Sequence, residues 1–199
     1  MALRPPDRGS FEHLLTESKV DATTLIRLSK FPATEPYFSV GRYRFDGPPV
    51  GTASSFGTCY VAPGLDTAFA ESVIHECSWF RKGRYEVPQA DLESRHIVRL
   101  ERPSAPVLVL ADLTSSRLKR LGLNNDISAG DDYIVPMAWA KAIYEADAKW
   151  DGIQYVSRQR NDAIAVALFD RSGIRKRSSR KLEGRLLDSL CDQFQLVVV

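Results

Sequence analysis

The sequence predicts an α+β fold, one domain with a mixed central sheet and flanking helices. Three observations point there. The chain has 199 residues, 44% of them hydrophobic, which is enough for one core without disulfide or metal staples. Apolar runs of strand length and stripes of helical period both occur, but in no regular alternation, which argues against a doubly wound α/β chain. Neither an internal repeat nor an interdomain linker interrupts the text. Residues 1–24 read as an N-terminal arm, with a short helix around Phe11 to Glu17, and residues 25–199 as the main domain.

The elements follow in order. "TLIRLSKF" predicts a strand with Leu25, Arg27 and Ser29 on one face. Residues 31–57 are rich in Pro, Gly, Ser and aromatics and predict a long loop, which in a compact domain is often functional. "FGTCYVA" predicts a buried strand, broken by Pro63-Gly64, with Asp66 capping the next helix. In that helix Phe69, Ala70, Val73, Ile74, Cys77 and Phe80 form one apolar stripe, and Glu71 lies at its edge. "HIVRL" and "PVLVLADL" predict strands, the second nearly all apolar and therefore central. "LTSSRLKRLGL" predicts a short helix ended by Gly122, followed by the polar loop "NNDISAGDD". Pro136 suits a first helical turn, and Trp139, Ala142, Ile143 and Ala146 share a face of that helix. Asp151-Gly152 predicts a tight turn into the strand "IQYVS"; "DAIAVALF" is a further buried strand, and "FQLVVV" closes the chain.

Composition excludes several classes. The net charge is +2, so charge alone makes no case for nucleic acid. The start "MALRPPDRGSFEHLL" has prolines and polar residues where a signal peptide has its apolar segment. No apolar run approaches the roughly 18 residues of a membrane span. A cytoplasmic location is the expectation, with signal-independent secretion left open. Cys59, Cys77 and Cys191 are odd in number and lack metal spacing, as do His13, His75 and His96, so no metal site is expected. The glycines form no dinucleotide or phosphate-loop motif. The basic run from Arg171 to Arg185 reads first as a solvated loop and helix face, next as an interface for an acidic partner, and third, because no aromatics interleave it, as a nucleic-acid surface.

Five polar residues stand out from their apolar surroundings. Arg27 sits in a strand and, if it points inward, needs an anion or carboxylate partner. Arg44 lies in "RYRFD" ahead of Gly47; two arginines suit a pyrophosphate, because a guanidinium holds two phosphate oxygens through parallel hydrogen bonds. Tyr60 is either a core residue or a ring that stacks on a base, with its phenol free to hydrogen-bond. Glu71 is either a solvated charge or a carboxylate that stabilises a sugar cation. Ser157, at a strand end with no catalytic triad in view, suits binding and orientation.

"LIRL", "RFD", "FGTCYVA", "TAFAE", "WAKAI", "DGIQYVSR" and "AVALF" resemble the successive blocks of the RES domain, a family named for an arginine, a glutamate and a serine. The resemblance covers roughly residues 25–170 and implies a fold similar to ADP-ribosyltransferase toxins, with residues 25–199 as a RES-like catalytic domain. It implies a toxin that cleaves the nicotinamide–ribosyl bond of NAD as glycohydrolase or phosphorylase. NAD is then a substrate with no separate cofactor, and phosphate is the alternative co-substrate. It also implies a cognate antitoxin or immunity protein, with nucleic acid reached only through a DNA-binding antitoxin. The implied catalytic residues are Arg44, Glu71 and Ser157, and NAD binding falls to Arg27, Arg44, Tyr60 and Ser157. Arg42 competes with Arg44 for the second arginine position; Arg44 is favoured because Phe45 and Asp46 follow it. Two alternatives stay open: ADP-ribosylation of a protein target, and a non-catalytic partner-binding domain that uses the basic segment.

Overall fold

In the computed structural model, residues 3–7, 9–49, 51, 55–77 and 79–199 are described. The strands are β1 (Glu17–Asp21), β2 (Ile26–Ser29), β3 (Thr58–Val61), β4 (Trp79–Arg81), β5 (Arg84–Val87), β6 (His96–Glu101), β7 (Val107–Leu113), β8 (Gly152–Val156), β9 (Ile164–Phe169), β10 (Arg175–Lys181) and β11 (Leu196–Val198). The helices are α1 (Leu65–Phe69), α2 (His75–Cys77), α3 (Gln89–Glu93), α4 (Ser115–Arg120), α5 (Asp126–Ala129), α6 (Ile134–Ala146) and α7 (Arg185–Gln193), with a π-helical segment, Ala70–Ile74, joining α1 to α2.

The main sheet has the order β1-β7-β8-β9-β3, and the sheet β10-β6-β2 packs on one of its faces. Leu108 and Leu110 of β7, Val166 and Leu168 of β9, and Val98 and Leu100 of β6 share the core between the two sheets. The other face of the main sheet carries Ala111, Leu113, Ile153, Ala165 and Phe169, covered by Leu118, Ile127, Trp139 and Ile143 from α4, α5 and α6. On the far side of the smaller sheet, Ile26, Leu28 and Ile97 pack against Phe69, Val73 and Leu190. The architecture is therefore α+β with a mixed sheet, as the sequence predicts: β7 and β8 run parallel and the other pairs of the main sheet antiparallel.

Several elements differ from the expectation. Among the described residues the N-terminal segment has 3-10 turns at Glu12–Leu14 and Ala22–Thr24, and Glu17–Asp21 between them is an edge strand of the main sheet, paired with β7. Its ladder bonds give polar residues such as Glu17 and Lys19 a place that their side chains alone do not signal. The apolar stripe stops short of Phe80, which is exposed in β4 and faces Tyr85 across a two-residue turn, Lys82-Gly83, with both residues at positive φ. The Cys77 side chain lies outside the described residues. Asp66 does not cap a helix start: Gly64 is the N-cap residue, and the Asp66 carboxylate accepts from the amide of Thr67. The polar loop after Gly122 contains the short helix α5, and Ala146 is exposed at the end of α6. Asp151-Gly152 is not a turn. Gly152 opens β8, where a Cβ would sit 2.3 Å from the Ala167 carbonyl of β9, so only glycine permits that approach.

The basic run differs most. Arg175–Lys181 form β10, paired with β6 and exposed at nearly every position, where a loop and helix face was expected. Arg171 does not belong to that surface. Its guanidinium donates to the carbonyls of Trp150, Tyr144 and Asp147 at 2.8–2.9 Å and stacks over the Tyr144 ring, closing the C-terminal end of α6.

Candidate active site

A cavity of about 470 Å³ opens where β2 and β3 part, joined by the Ile26↔Ala62 bridge. The helical run 65–77, the loop 31–44 and the start of α6 complete its walls. Arg27, Arg44, Tyr60 and Glu71 all line it, so residues far apart in the chain meet there. Ser157 does not line it. Only 1% exposed, it lies behind Glu71 and donates to Glu71 Oε1 at 2.5 Å.

Glu71 owes its aim to the π-helical segment. At its end the amide of His75 bonds to the carbonyl of Ala70, five residues back, where an α-helix would reach back four. The wider turn keeps Ala70, Val73 and Ile74 buried and turns Glu71 toward the cavity. Ser157 follows β8 directly, and its Oγ also accepts from the amide of Arg160 at 3.1 Å, which orients the hydroxyl hydrogen toward the carboxylate. Among the described residues the hydrogen bonds to Glu71 fall on Oε1, which leaves Oε2 for a ligand.

Both predicted arginines are already engaged. Arg27 donates Nε to Glu35 at 2.9 Å and Nη1 to the Tyr60 carbonyl at 2.8 Å. Glu35 thus supplies the carboxylate that an inward strand arginine requires. Burial works against the Arg27 charge, but the fields of Cys59 and Glu35 and the hydrogen bond that Arg27 donates to Glu35 outweigh it and hold the guanidinium above its ordinary value. Arg44 is buried; its Nη2 donates to the Gly130 carbonyl at 2.6 Å, and its guanidinium lies 4.7 Å from the Tyr133 ring centroid. Burial lowers its pKa, and Tyr133 opposes the shift. Arg42, the competing position, is exposed and also lines the cavity, its guanidinium 5.0 Å from the Tyr43 ring.

The Tyr60 phenol is not free, contrary to expectation. It donates to Asp46 at 3.0 Å and accepts from the amide of Phe45 at 2.8 Å, while its ring meets Tyr43 edge-on. Burial and then the Asp46 charge push its pKa well above the ordinary tyrosine value. Asp46 itself is fully buried. It accepts from Ser39 Oγ and from the amides of Arg42 and Tyr43 at 2.9–3.0 Å, so one carboxylate shapes the arginine-bearing loop. Gly47 lets that loop close, since a Cβ there would lie 2.3 Å from the Phe56 carbonyl.

Glu35, Asp46, Tyr43, Tyr133, Tyr155, Arg95 and Arg158 complete the site, and sequence reasoning did not single them out. Arg158, beside Ser157, was the most accessible signal; Tyr133 and Arg95 carry none. Six cationic side chains line the cavity (Arg27, Lys30, Arg42, Arg44, Arg95 and Arg158) against three carboxylates, Glu35, Glu71 and Glu76. Glu35 pairs with Arg27, Glu76 lies 3.6 Å from Arg95, and Lys30 and Arg158 pair with Asp91 and Asp131 outside the lining, which leaves Arg42 and Arg44 without a carboxylate among the described residues. Among the described residues, Glu71 has no ion-pair partner. The site therefore combines a surplus of positive charge, an aromatic wall and one uncompensated carboxylate. No group of ligands suited to a metal occurs among the described residues.

These features define an anion-accepting cleft, armed with a carboxylate, on an α+β scaffold. The comparisons give it a family. A RES domain model matches residues 25–186, and the chain belongs to the RES domain family. It is 32% identical over 126 residues to "Probable toxin y4kH" of Sinorhizobium fredii, covering 59% of this chain and 94% of that protein. Its fold is similar to that of a chain in the crystal structure of the M. tuberculosis MbcT-MbcA toxin-antitoxin complex, with a TM-score of 0.63 at 16% identity, over 92% of this chain and 97% of the other.

Proposed function

We propose that this protein is a toxin that depletes NAD by cleaving its nicotinamide–ribosyl bond and that a cognate antitoxin neutralises it. The observation that carries the reading is Glu71: a carboxylate with no ion pair among the described residues, held by Ser157, in a cavity otherwise rich in cations. The relatives, a probable toxin and a chain of a toxin-antitoxin complex, support the cellular role.

In this reading NAD lies with its pyrophosphate among the arginines. Arg27 and Arg44 contribute mainly field and their remaining N–H groups, because their other donors are engaged. Arg42 offers a whole guanidinium and takes the bidentate phosphate contact. Glu71 Oε2 faces the ribose carbon. As the carbon–nitrogen bond breaks, its electron pair leaves with neutral nicotinamide and positive charge grows on the sugar, which the carboxylate stabilises. Ser157 fixes the carboxylate without touching the substrate. The tyrosines supply the flat surface for an aromatic ring. An acceptor then adds to the ribose carbon; when it is water, the products are ADP-ribose and a proton.

Product analysis tests the proposal. Purified protein is incubated with NAD, with and without inorganic phosphate, and the products are separated by chromatography. Free nicotinamide with ADP-ribose means hydrolysis, and a phosphorylated ADP-ribose means phosphorolysis. ADP-ribose attached to protein would move the assignment to transfer, and intact NAD would remove the proposal.

A further inference from the structure

We propose that the outer edge of β10 is a docking strand for an acidic, extended segment of a partner protein, which adds to the sheet as a further strand. The proposal rests on β10 alone and is independent of the NAD reading.

β10 ends the order β10-β6-β2, so one side of its backbone faces β6 and the other has no neighbouring strand. Among the described residues, no backbone hydrogen bond joins Arg175–Lys181 to anything but β6. An open edge of this kind presents unpaired N–H and C=O groups, the template for strand addition.

Its side chains choose the partner. The strand reads "RKRSSRK", five cations in seven residues, and all but Lys176 are exposed. Among the described residues, Lys181 is the one β10 cation with a carboxylate in reach, Glu183 at 3.9 Å. Arg177 and Arg180 have none among the described residues, and Arg175 stands across the ladder from Glu101 without an ion pair to it. Lysines and arginines on an edge also deter apolar strands from pairing. That deterrence is selective, because an opposite charge directly across a strand pair is favourable and a like charge is not.

The geometry favours a peptide over a nucleic acid. In the register with β6, Arg175 and Arg180 stand opposite Glu101 and Ile97, on one face, and Lys176 and Lys181 opposite Leu100 and His96, on the other. Cations on both faces suit an added strand, whose own side chains alternate between faces. A nucleic-acid backbone needs its cations on one surface, with aromatics between them for single strands, and β10 has no aromatic residue. The strand also adjoins the cavity: Lys176 Nζ donates to the carbonyl of Pro32 at 2.6 Å, next to cavity-lining Phe31.

The test uses the full chain and a fluorescent peptide of roughly ten residues, glutamate and threonine, with glutamate at odd and even positions. A lysine counterpart is the control. The glutamate peptide should bind saturably near physiological salt, the lysine peptide should not, and hydrogen exchange at amides within 175–181 should slow on binding. The variant Arg175→Glu/Arg177→Glu/Arg180→Glu should weaken binding at least about tenfold. All three side chains are exposed, and an unchanged melt of that variant, or of the milder triple change to Gln, separates docking from folding. Failure of the glutamate peptide to bind, equal binding by the folded variant, or unchanged exchange in β10 would overturn the proposal. So would tighter binding of a DNA duplex at the same salt.

Discussion

Two side chains at the back of the cavity separate orientation from contact. Ser157 is shielded and acts through Glu71, so Ser157→Ala should lower kcat roughly 10- to 100-fold while leaving KM for NAD nearly unchanged. A rise in KM with kcat preserved would place Ser157 in contact with substrate instead. Tyr60 differs because its phenol braces the arginine loop. Tyr60→Phe leaves the Phe45 amide and one Asp46 contact unmet and should cost about 1–3 kcal/mol of stability in denaturant melts. The pH dependence follows chiefly from the burial of the same phenol, and then from the Asp46 charge beside it. The folded pKa of Tyr60 lies above the unfolded value of about 10, so its stabilisation is complete below that pH and declines as pH rises beyond it. Tyr60→Phe should flatten the alkaline limb of a stability–pH curve; an unchanged limb would contradict the assignment. Cys59, fully buried with a thiol pushed up to about 12 chiefly by desolvation, should resist alkylation in the native protein at pH 8 and react on unfolding.

At the scale of elements, what the sequence exposes is whatever its local pattern encodes. The strand around Arg27, the strand around Tyr60, the helix from Pro136 and the apolar strands β7 and β9 all show through periodicity. β1 and β10 do not, because they are edge strands whose order comes from ladder bonds to β7 and β6 and whose side chains are mostly polar. The π-helical segment is equally silent: one extra residue in a turn leaves the apolar stripe almost intact, yet it decides where Glu71 points. Arg27 and Tyr60 line the cavity from such legible strands and Glu71 from the edge of a legible apolar stripe, whereas Arg44 reaches it from the long loop. Their partners Glu35 and Asp46 lie in the long loop, where pairing depends on how the chain returns. Arg171 shows the opposite error, a charge assigned to a surface that instead closes a helix end. Arg171→Met keeps much of the apolar stem and removes three hydrogen bonds to carbonyls, and it should destabilise by about 2–4 kcal/mol with NAD turnover per folded molecule unchanged. A melt within a few tenths of a kcal/mol of the parent would show that water satisfies those carbonyls equally well.

For the whole molecule, membership of the RES domain family and the charge pattern of the cleft lead to the same expectation in cells. Induced expression should lower NAD before growth stops, and the Glu71→Ala protein should be harmless at equal abundance. Growth arrest with NAD unchanged would point to a different target. The most direct measurement is nicotinamide release from NAD by the purified protein and its Glu71→Gln variant, which keeps side-chain size and removes the charge. Steady release by the parent and a loss of at least about 100-fold in the variant are expected, with a cooperative melt in both. Release by Glu71→Gln at the parental rate, or NAD left intact by the folded parent, would contradict this expectation.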